Sequence, residues 1–353
     1  MFFSWAAVSW LNHPELSAQS KVYSRDEVRD RFEQLVTQVH QEKVFLHLDR
    51  NSYITGESIW FSAYCVDAAN HIPVDISKVL NVELLDASGQ SIKQVRVKLS
   101  KGLGKGQIFV SPDLPSGQYK VRAFTNWMKN FDPELVFQQS LKIINPSSVK
   151  ESKIYDSRGQ ASVQFFPEGG QMVAGLSSKV AVKAIDGFGN GLSVAGIVYD
   201  NEENEIVEFA TSAFGYAYFS LTPDPGKSYV ARIELDSAIQ KYPLPNVMES
   251  GMVLTVNTLE SGDLNIAIDH TEFFQSNPYL VVHTRGIINK ILPVDLGKSK
   301  NINIYANELS PGISHITLLD NDYTALCERL VFRYPEGSEK VSLTMDNAQY
   351  GSR

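Results

Sequence analysis

Cysteine is scarce in this chain, and its scarcity limits the chemistry that the chain can perform. The 353 residues include two cysteines, Cys65 and Cys327, which lie far apart in the sequence. Each follows an alternating apolar pattern, in which a free cysteine behaves as a small hydrophobic residue. Two isolated cysteines do not supply a zinc site of the usual four-ligand kind. Nothing around them predicts a disulfide, so we expect two buried thiols and no cofactor.

Long apolar runs and an excess of positive charge are also missing. No stretch approaches the roughly 18 uninterrupted apolar residues of a membrane-spanning helix, so we expect no membrane span. Basic residues number 32 against 40 acidic ones, which gives a net charge of −8. That balance argues against a nucleic-acid-binding surface.

The sequence also lacks the spacing of residues that common catalytic and metal sites need. The histidines show no metal-binding spacing such as His-Glu-x-x-His. The segment "KGLGKG" at 101–106 lacks the full phosphate-loop pattern and a following helix. Acidic turns at 200–205 and 320–323 offer oxygen atoms but not the alternating ligand loop of a calcium site, which leaves calcium binding open. We therefore predict that the protein is not an enzyme and holds no metal.

One amphipathic helix is predicted near the start of the chain, at residues 24–41. Ser24 and Glu27 form a capping box, and an apolar stripe follows on one helical face: Val28, Phe32, Leu35, Val36 and Val39. Such a stripe needs a cover, and we expect the helix to dock on the first sheet. The preceding residues, 1–23, contain a short apolar run with no basic residue before Lys21, which we interpret as a degenerate export signal.

From residue 42 onward the pattern is that of β-strands. Short alternating runs are separated by turn clusters such as "DASGQ", "LPSGQ", "PEGGQ" and "DGFGNG", at a spacing of about 8 to 12 residues. This spacing is typical of antiparallel β-sandwiches. In the turns, the glycines permit the positive φ that other residues resist.

An internal repeat divides this β-rich part of the chain. The order "GESIWFSAY", "VLNVELLDASGQSI", "GQIFVSPDLPSGQYKVRAF" returns as "GLSSKVAVKA", "SVAGIVYDNEENEIV", "GYAYFSLTPDPGKSYVARI", and a fainter third pass follows. Tandem units of this size match single sandwiches. We predict sandwiches at 42–146, 160–245 and 251–335. The final "EKVSLTMDNAQYGSR" repeats the opening "EKVFLHLDRNSYITG", so we predict that 338–353 begins an incomplete fourth unit.

The stretch "LDRNSYITGESIWFSAY" raises the question of a catalytic site. His47 and Asp49 are two residues apart on a strand and therefore share a face, but no serine or cysteine motif lies nearby. A structural turn explains the spacing, because Asp49 can accept hydrogen bonds from the turn and Arg50 can pair with Glu57. We assign that turn to Asp49, Arg50, Tyr53, Gly56 and Glu57.

The same stretch resembles the opening of the second domain of macroglobulins, with Thr55 in place of the usual proline. "LPSGQYKVRAFTNWMKNFDPE" and "FFPEGGQMVAGLSSKVAVKA" are similar to a narrower group. That group consists of large envelope proteins of Bacteroidetes-type bacteria, some of which carry macroglobulin-like repeats before a receptor-plug region. The resemblance implies an all-β fold of tandem macroglobulin/immunoglobulin-like sandwiches with a short N-terminal helix. It also implies a periplasmic or outer-membrane-associated location, and it matches the N-terminal part of those proteins. The Cys-Gly-Glu-Gln thioester motif of macroglobulins is absent.

The aromatic segment "FTNWMKNF" at 124–131 permits two interpretations. Trp127, Met128 and Phe131 either fill a corner against the next sandwich or form a partner-binding patch. With no catalytic constellation, the sequence favours a non-catalytic envelope scaffold that binds a protein partner at the outer membrane, such as a component of transport. Two alternatives remain: a protease-trapping macroglobulin relative, which would need an exposed bait segment, and a carbohydrate-binding module that uses Trp60 or Trp127.

Overall fold

A computed structural model describes residues 25–38, 40–147, 161–187, 189–235, 238–272, 278–297 and 301–335, with residues 337, 342 and 344. Within these residues the chain forms one α-helix, α1 (Arg25–Gln38), followed by strands. Three buried apolar clusters lie within residues 44–143, 163–244 and 252–327, each between two sheets. The all-β class predicted from the alternating pattern is confirmed.

The first sandwich contains β1 to β8, whose side chains alternate between a buried and an exposed face. A three-stranded sheet in the order β1-β3-β6 faces a five-stranded sheet in the order β2-β8-β7-β4-β5. Neighbouring strands are antiparallel except β2 and β8, which are parallel. The strands are β1 (Glu42–Leu48), β2 (Ser52–Ile54), β3 (Ser58–Asp67), β4 (Val79–Leu85), β5 (Ser91–Lys98), β6 (Leu103–Phe109), β7 (Gly117–Thr125) and β8 (Phe137–Ile144).

The second sandwich contains β9 to β17 and has an aromatic core. The sheet β14-β11-β9 faces the sheet β13-β12-β15-β16, and β10 pairs in parallel with β17. Between the sheets, Phe209 lies 5.9 Å from Phe165 and 5.7 Å from Phe219, measured between ring centroids. The strands are β9 (Ser162–Pro167), β10 (Met172–Val173), β11 (Ser178–Ile185), β12 (Ala195–Asp200), β13 (Glu205–Ala210), β14 (Tyr216–Leu221), β15 (Tyr229–Leu235), β16 (Ala238–Pro243) and β17 (Val247–Met248).

The third sandwich contains β18 to β24 and has an aliphatic core. The sheet β18-β19-β22 faces the sheet β21-β20-β23-β24. The strands are β18 (Met252–Thr258), β19 (Leu264–His270), β20 (Tyr279–Thr284), β21 (Ile287–Pro293), β22 (Asn301–Ile304), β23 (Gly312–Leu319) and β24 (Ala325–Arg333). In β20 and β23, side chains on both faces of the sheet are buried.

The helix does not dock where the sequence predicted. Val28 of α1 is buried against Val281, Ile291 and Leu319, which lie on the outer face of the third sandwich. The prediction that the helix covers the first sheet was therefore wrong. The reason is the availability of an apolar surface: Val281, Ile291 and Leu319 lie on this outer face, and burying them against Val28 removes both surfaces from water.

The predictions for the cysteines, the domain boundaries and the chain termini have different outcomes. Cys65 and Cys327 are both free and buried, in the first and third cores, and burial raises the pKa of each thiol to about 12. The domain boundaries stay predictions. The export signal at 1–23, the capping residue Ser24 and nearly all of 338–353 lie outside the described residues.

Candidate functional site

The connection from β1 to β3 carries the chain from one sheet to the other and back. β1 and β3 pair in the three-stranded sheet, whereas β2 joins the five-stranded sheet. This crossing places Tyr53 between the two sheets, where it is 1% exposed. A buried phenol needs hydrogen-bond partners. Its hydroxyl donates to Asp49 Oδ1 at 2.6 Å and lies 2.7 Å from the carbonyl oxygen of Arg50.

Asp49 and Glu57 hold this connection in place through further hydrogen bonds. Asp49 Oδ1 accepts from the backbone N–H of Trp60 at 3.1 Å, and Glu57 Oε2 accepts from the N–H of Ile54 at 2.8 Å. Arg50 Nη1 lies 3.3 Å from Glu57 Oε1, as the sequence predicted for this pair. Gly56 has φ +92°. Burial alone would raise the pKa of Asp49, but the bonds from Tyr53, Trp60 and Arg50 lower it overall.

His47 has no catalytic partner at this place. Its side chain is exposed on the outer face of β1, opposite Ser62 of β3. The Asp49 carboxylate is already engaged by Tyr53 and Trp60, so it is not oriented to position an imidazole ring for general-base catalysis. The arrangement is that of a structural turn.

Around His47, the outer face of the sheet β1-β3-β6 is rich in exposed aromatic and aliphatic side chains. Trp60 is 56% exposed although it lies in the central strand. Tyr64 stands opposite Phe45 on one side and Leu103 on the other. We refer to the following exposed residues as the aromatic face: Phe45, Trp60, Tyr64, Leu103 and Phe109.

A shallow groove of about 660 Å³ crosses this face beside Trp60. Five polar side chains line it. Asp49 is engaged by Tyr53 and Trp60, and the other four make no hydrogen bond or ion pair with the described residues: His47, Ser62, Lys105 and Gln107. A wide aromatic surface flanked by unused donors and acceptors can bind a partly polar ligand. Sequence reasoning named Trp60 but missed the face. The signal was present, because Trp60 and Tyr64 occupy two alternate outward positions of β3.

The predicted partner-binding residues of segment 124–131 do not share one surface. Met128 is 2% exposed and belongs to the first core. Trp127 is 41% exposed, and its Nε1 donates to the carbonyl oxygen of His40 at 2.6 Å. Phe131 packs edge-on against Trp127 with ring centroids 6.0 Å apart. Because Met128 lies inside, a patch here would depend on Trp127 and Phe131, and partner binding by this segment stays a prediction.

The acidic turns use their carboxylates to close hairpins. In each, one aspartate Oδ1 accepts the backbone N–H four residues later, and the residue before that donor has positive φ. The four pairs are Asp86 with Gln90 at 3.0 Å, Asp186 with Asn190 at 2.8 Å, Asp200 with Asn204 at 2.9 Å, and Asp320 with Thr324 at 2.8 Å. A side-chain hydrogen bond from Ser88, and secondarily the backbone bond from Gln90, lower the pKa of Asp86. The side-chain and then the backbone hydrogen bonds from Asn204 lower the pKa of Asp200. In the described parts of the chain, no three His, Cys, Asp or Glu side chains are grouped to hold a metal ion.

The "PEGG" turn at 167–170 joins the second and third sandwiches. Glu168 Oε1 accepts from the N–H of Val256 and from Nε of Arg329, each at 3.1 Å. The N–H of Glu328 donates to the carbonyl oxygen of Gly169 at 3.2 Å. A Cβ at Gly169 would meet the backbone nitrogen of Leu254 at 3.2 Å. Glycine therefore permits this close approach, which the sequence did not predict.

Across the described residues, no helix has the length and apolar character to cross a membrane. No protein-family model matches the chain, and no curated protein matches it.

Several solved structures are similar to this chain at low identity. Salmonella alpha-2-macroglobulin (mutant Y1175G) is 11% identical with a TM-score of 0.26, and the match covers 88% of this chain and 24% of that one. The BSP domain of a biofilm-associated protein is 10% identical with a TM-score of 0.28, over 89% of this chain and 71% of that one. The D0–D1 domain of intimin is 15% identical with a TM-score of 0.22, over 59% of this chain and 98% of that one.

These similarities are too weak to assign a function. The chain spans about a quarter of the length of the macroglobulin structures that it matches. The neighbours are macroglobulin domains and adhesion-protein domains. The assignment of tandem β-sandwiches rests on the sheets of this chain itself.

Proposed function

We propose that this protein is a non-catalytic scaffold of the bacterial cell envelope that binds a protein partner through the aromatic face of its first sandwich. The observation that carries this proposal is the exposure of Trp60, Phe109 and Phe45, each more than half exposed, on one side of one sheet. Exposed aromatic clusters mark interaction sites, since aromatic side chains supply much of the binding energy of interfaces. We further propose that the partner is an outer-membrane component that takes part in transport.

The position of the face in the fold supports binding without catalysis. Its residues project from three adjacent strands whose other side is packed into the first core. Because a packed sandwich holds this face rigid, little conformational entropy is lost when a partner binds to it. The carboxylate next to it, Asp49, serves structure, because it accepts a hydrogen bond from Tyr53.

A pull-down from envelope extracts tests the proposal, with the purified chain as bait. The variant Trp60→Ser/Phe109→Ser keeps the core side of β3 and β6 unchanged, and we expect it to lose a specific partner that the unmodified chain retains. The matched control is Tyr216→Ser/Tyr218→Ser, which removes two exposed aromatic side chains from the second sandwich. Equal recovery of every bound protein by both variants would refute the aromatic face as the binding surface.

A carbohydrate ligand is a second candidate, favoured by the groove beside Trp60. The C–H face of a sugar ring stacks on an aromatic face, and the unpaired Ser62, Lys105 and Gln107 can bond to hydroxyl groups. Affinity electrophoresis through gels that contain soluble glycans tests it. Retardation of the unmodified chain that Trp60→Ala abolishes and Trp127→Ala preserves would support this candidate, and equal mobility in every gel would exclude those glycans.

A further inference from the structure

Two histidines are buried under α1 on the third sandwich. His283 of β20 and His315 of β23 stand opposite each other in the sheet and are 1% and 3% exposed. Their rings are parallel within 8°, and the ring centroids are 4.6 Å apart. Phe32 of α1 lies over His283 with ring centroids 4.9 Å apart. The helix therefore separates this stacked pair from solvent.

The hydrogen bonding of His283 suits a neutral ring. His283 Nε2 is buried without a hydrogen-bond partner among the described residues, and His283 Nδ1 lies 3.4 Å from the backbone nitrogen of Gly286, whose N–H can only donate. A protonated imidazole has two N–H donors. At His283 neither donor would find an acceptor, and an unpaired buried charge is far costlier than an unpaired neutral group.

The charged groups around the pair are distributed unequally. On β24, Glu328 Oε1 lies 3.3 Å from His315 Nδ1, and its other oxygen accepts from Thr317. On β21, Ile288 stands opposite His283. On α1, Arg29 lies within ion-pair distance of Glu33, and Arg31 lies over the ring of Tyr323. The other charged side chains described on this helix, Asp26, Glu27 and Asp30, are exposed. A carboxylate thus faces His315, whereas His283 meets a phenyl ring, an aliphatic side chain and the other imidazole.

We propose that α1 is an acid-released cover of the third sandwich. When the medium is acidified, protonation of His283 places a charge in a site where neither ring nitrogen of His283 has an acceptor among the described residues. Solvation of the rings then requires Phe32 and Val28 to leave, which exposes the sheet face that includes Val281 and Leu319. The proposal concerns a different sandwich from the aromatic face and is independent of the proposed function.

The direction of the pH dependence follows from the neutral state of His283 when the helix is docked. Burial, and secondarily the neighbouring His315, lower the pKa of His283 from 6.5 to about 3. A group with a lowered pKa when the helix is docked binds its proton more readily in the released state. Docking is therefore unaffected above about pH 6.5 and weakens as the pH falls from there. At pH 5 a single such histidine reduces the docking equilibrium constant about 30-fold.

Hydrogen exchange on the whole chain measures the release, after correction for the intrinsic pH dependence of exchange. Between pH 7.5 and pH 5, we expect amide exchange in α1 to rise by an order of magnitude or more relative to β18 and β19. The variant His283→Leu removes the titration and should keep α1 protected at pH 5. Phe32→Ser should leave α1 unprotected at both pH values. This variant therefore gives the exchange rate of a released helix for comparison.

A second variant keeps the test decisive if His283→Leu does not fold. Glu328→Gln removes the carboxylate beside the stacked rings. A charge on His283 is then less compensated while the helix is docked, so release should begin at a higher pH than in the unmodified chain. Equal relative protection of α1 at pH 7.5 and pH 5 in the unmodified chain would overturn the proposal. So would release of α1 from a folded His283→Leu variant with an unchanged midpoint.

Discussion

At the scale of single residues, Tyr53 determines the roles of the polar side chains around it. Its ring fills space between the two sheets of the first sandwich, and its hydroxyl is thereby taken out of bulk water. The hydroxyl donates a hydrogen bond to Asp49 and lies within hydrogen-bonding distance of the carbonyl oxygen of Arg50. Of the two residues that raised the question of catalysis, Asp49 thus satisfies one buried phenol, since a buried polar atom without a partner is costly, and His47 is exposed.

The first prediction follows from this bond. Tyr53→Phe keeps the ring and removes the hydroxyl, which leaves Asp49 without its shortest hydrogen bond. We expect the free energy of unfolding of the first sandwich to fall by about 1–3 kcal/mol. Urea denaturation followed by tryptophan fluorescence measures it. The matched control is Tyr64→Phe, whose side chain is partly exposed and should change stability by about 0.5 kcal/mol or less. Equal effects of the two variants would contradict this role of Tyr53.

The second prediction concerns Gly56. Its φ of +92° is unfavourable for residues with a Cβ, while no atom lies within 4 Å of the place that a Cβ would occupy. The cost of Gly56→Val is therefore one of backbone conformation, about 1–3 kcal/mol. Gly117→Ala is the control, because Gly117 lacks positive φ and its nearest neighbour is 3.8 Å away. A melting temperature that Gly56→Val leaves unchanged would refute the argument.

Sequence reasoning foresaw part of this turn. The ion pair of Arg50 and Glu57 and the positive φ of Gly56 followed from residue type and spacing. The burial of Tyr53 did not, because a three-residue strand has too few positions to show a period. Whether such a strand joins the first sheet or crosses to the second depends on its pairing with β8, which is distant in the sequence.

At the scale of secondary-structure elements, α1 shows what an amphipathic pattern determines. The pattern predicted a helix at 24–41, and the structure has one at Arg25–Gln38. The apolar stripe indicates that the helix packs against another surface, but it does not indicate which surface. The complementary signal lay in β20 and β23, where "YLVV" and "ITLL" are apolar at consecutive positions. Such runs indicate strands buried on both faces, so a layer outside the third sandwich could have been inferred.

The third prediction tests that docking at neutral pH. Val28→Asp places a carboxylate among Val281, Ile291 and Leu319, where it has no partner among these aliphatic side chains. Because an unpaired buried charge is strongly unfavourable, we expect the helix to leave the sheet and trypsin to cleave after Arg29 and Arg31 more rapidly. The control, Asp30→Ala, alters an exposed position of the same helix. Equal cleavage rates in both variants would show that Val28 does not anchor the helix.

At the scale of the whole molecule, contacts from loops connect the sandwiches. The first and third are joined by Arg285, whose Nε donates to the carbonyl oxygen of Ala69 at 2.8 Å while its Nη1 donates to that of Pro311. The second and third are joined by Glu168 and Gly169. The internal repeat predicted the three units, but a repeat describes what units share. The side chains that join them differ from unit to unit, so the repeat could not predict these contacts.

The last prediction concerns the junction of the second and third sandwiches. The Glu168 side chain is 7% exposed, and its Oε1 accepts from both Val256 and Arg329. Hydrogen bonds to a charged group contribute about 1.5–3 kcal/mol each. Glu168→Ala removes both and leaves the N–H of Val256 without its acceptor. We therefore expect hydrogen exchange at Val256 to accelerate about tenfold or more, a change worth about 1.4 kcal/mol, while β19 stays protected.

A control for this prediction lies in the second sandwich itself. Glu202 pairs with Lys227 at 2.7 Å within that unit, and its side chain is largely exposed. Exposed ion pairs contribute little to stability, so Glu202→Ala should leave exchange at Val256 unchanged. Small-angle scattering gives a second readout, because loosening the junction between two packed units increases the radius of gyration. If Glu168→Ala alters neither Val256 exchange nor the radius of gyration, the junction is held by the close approach of Gly169 to Leu254 and not by the carboxylate.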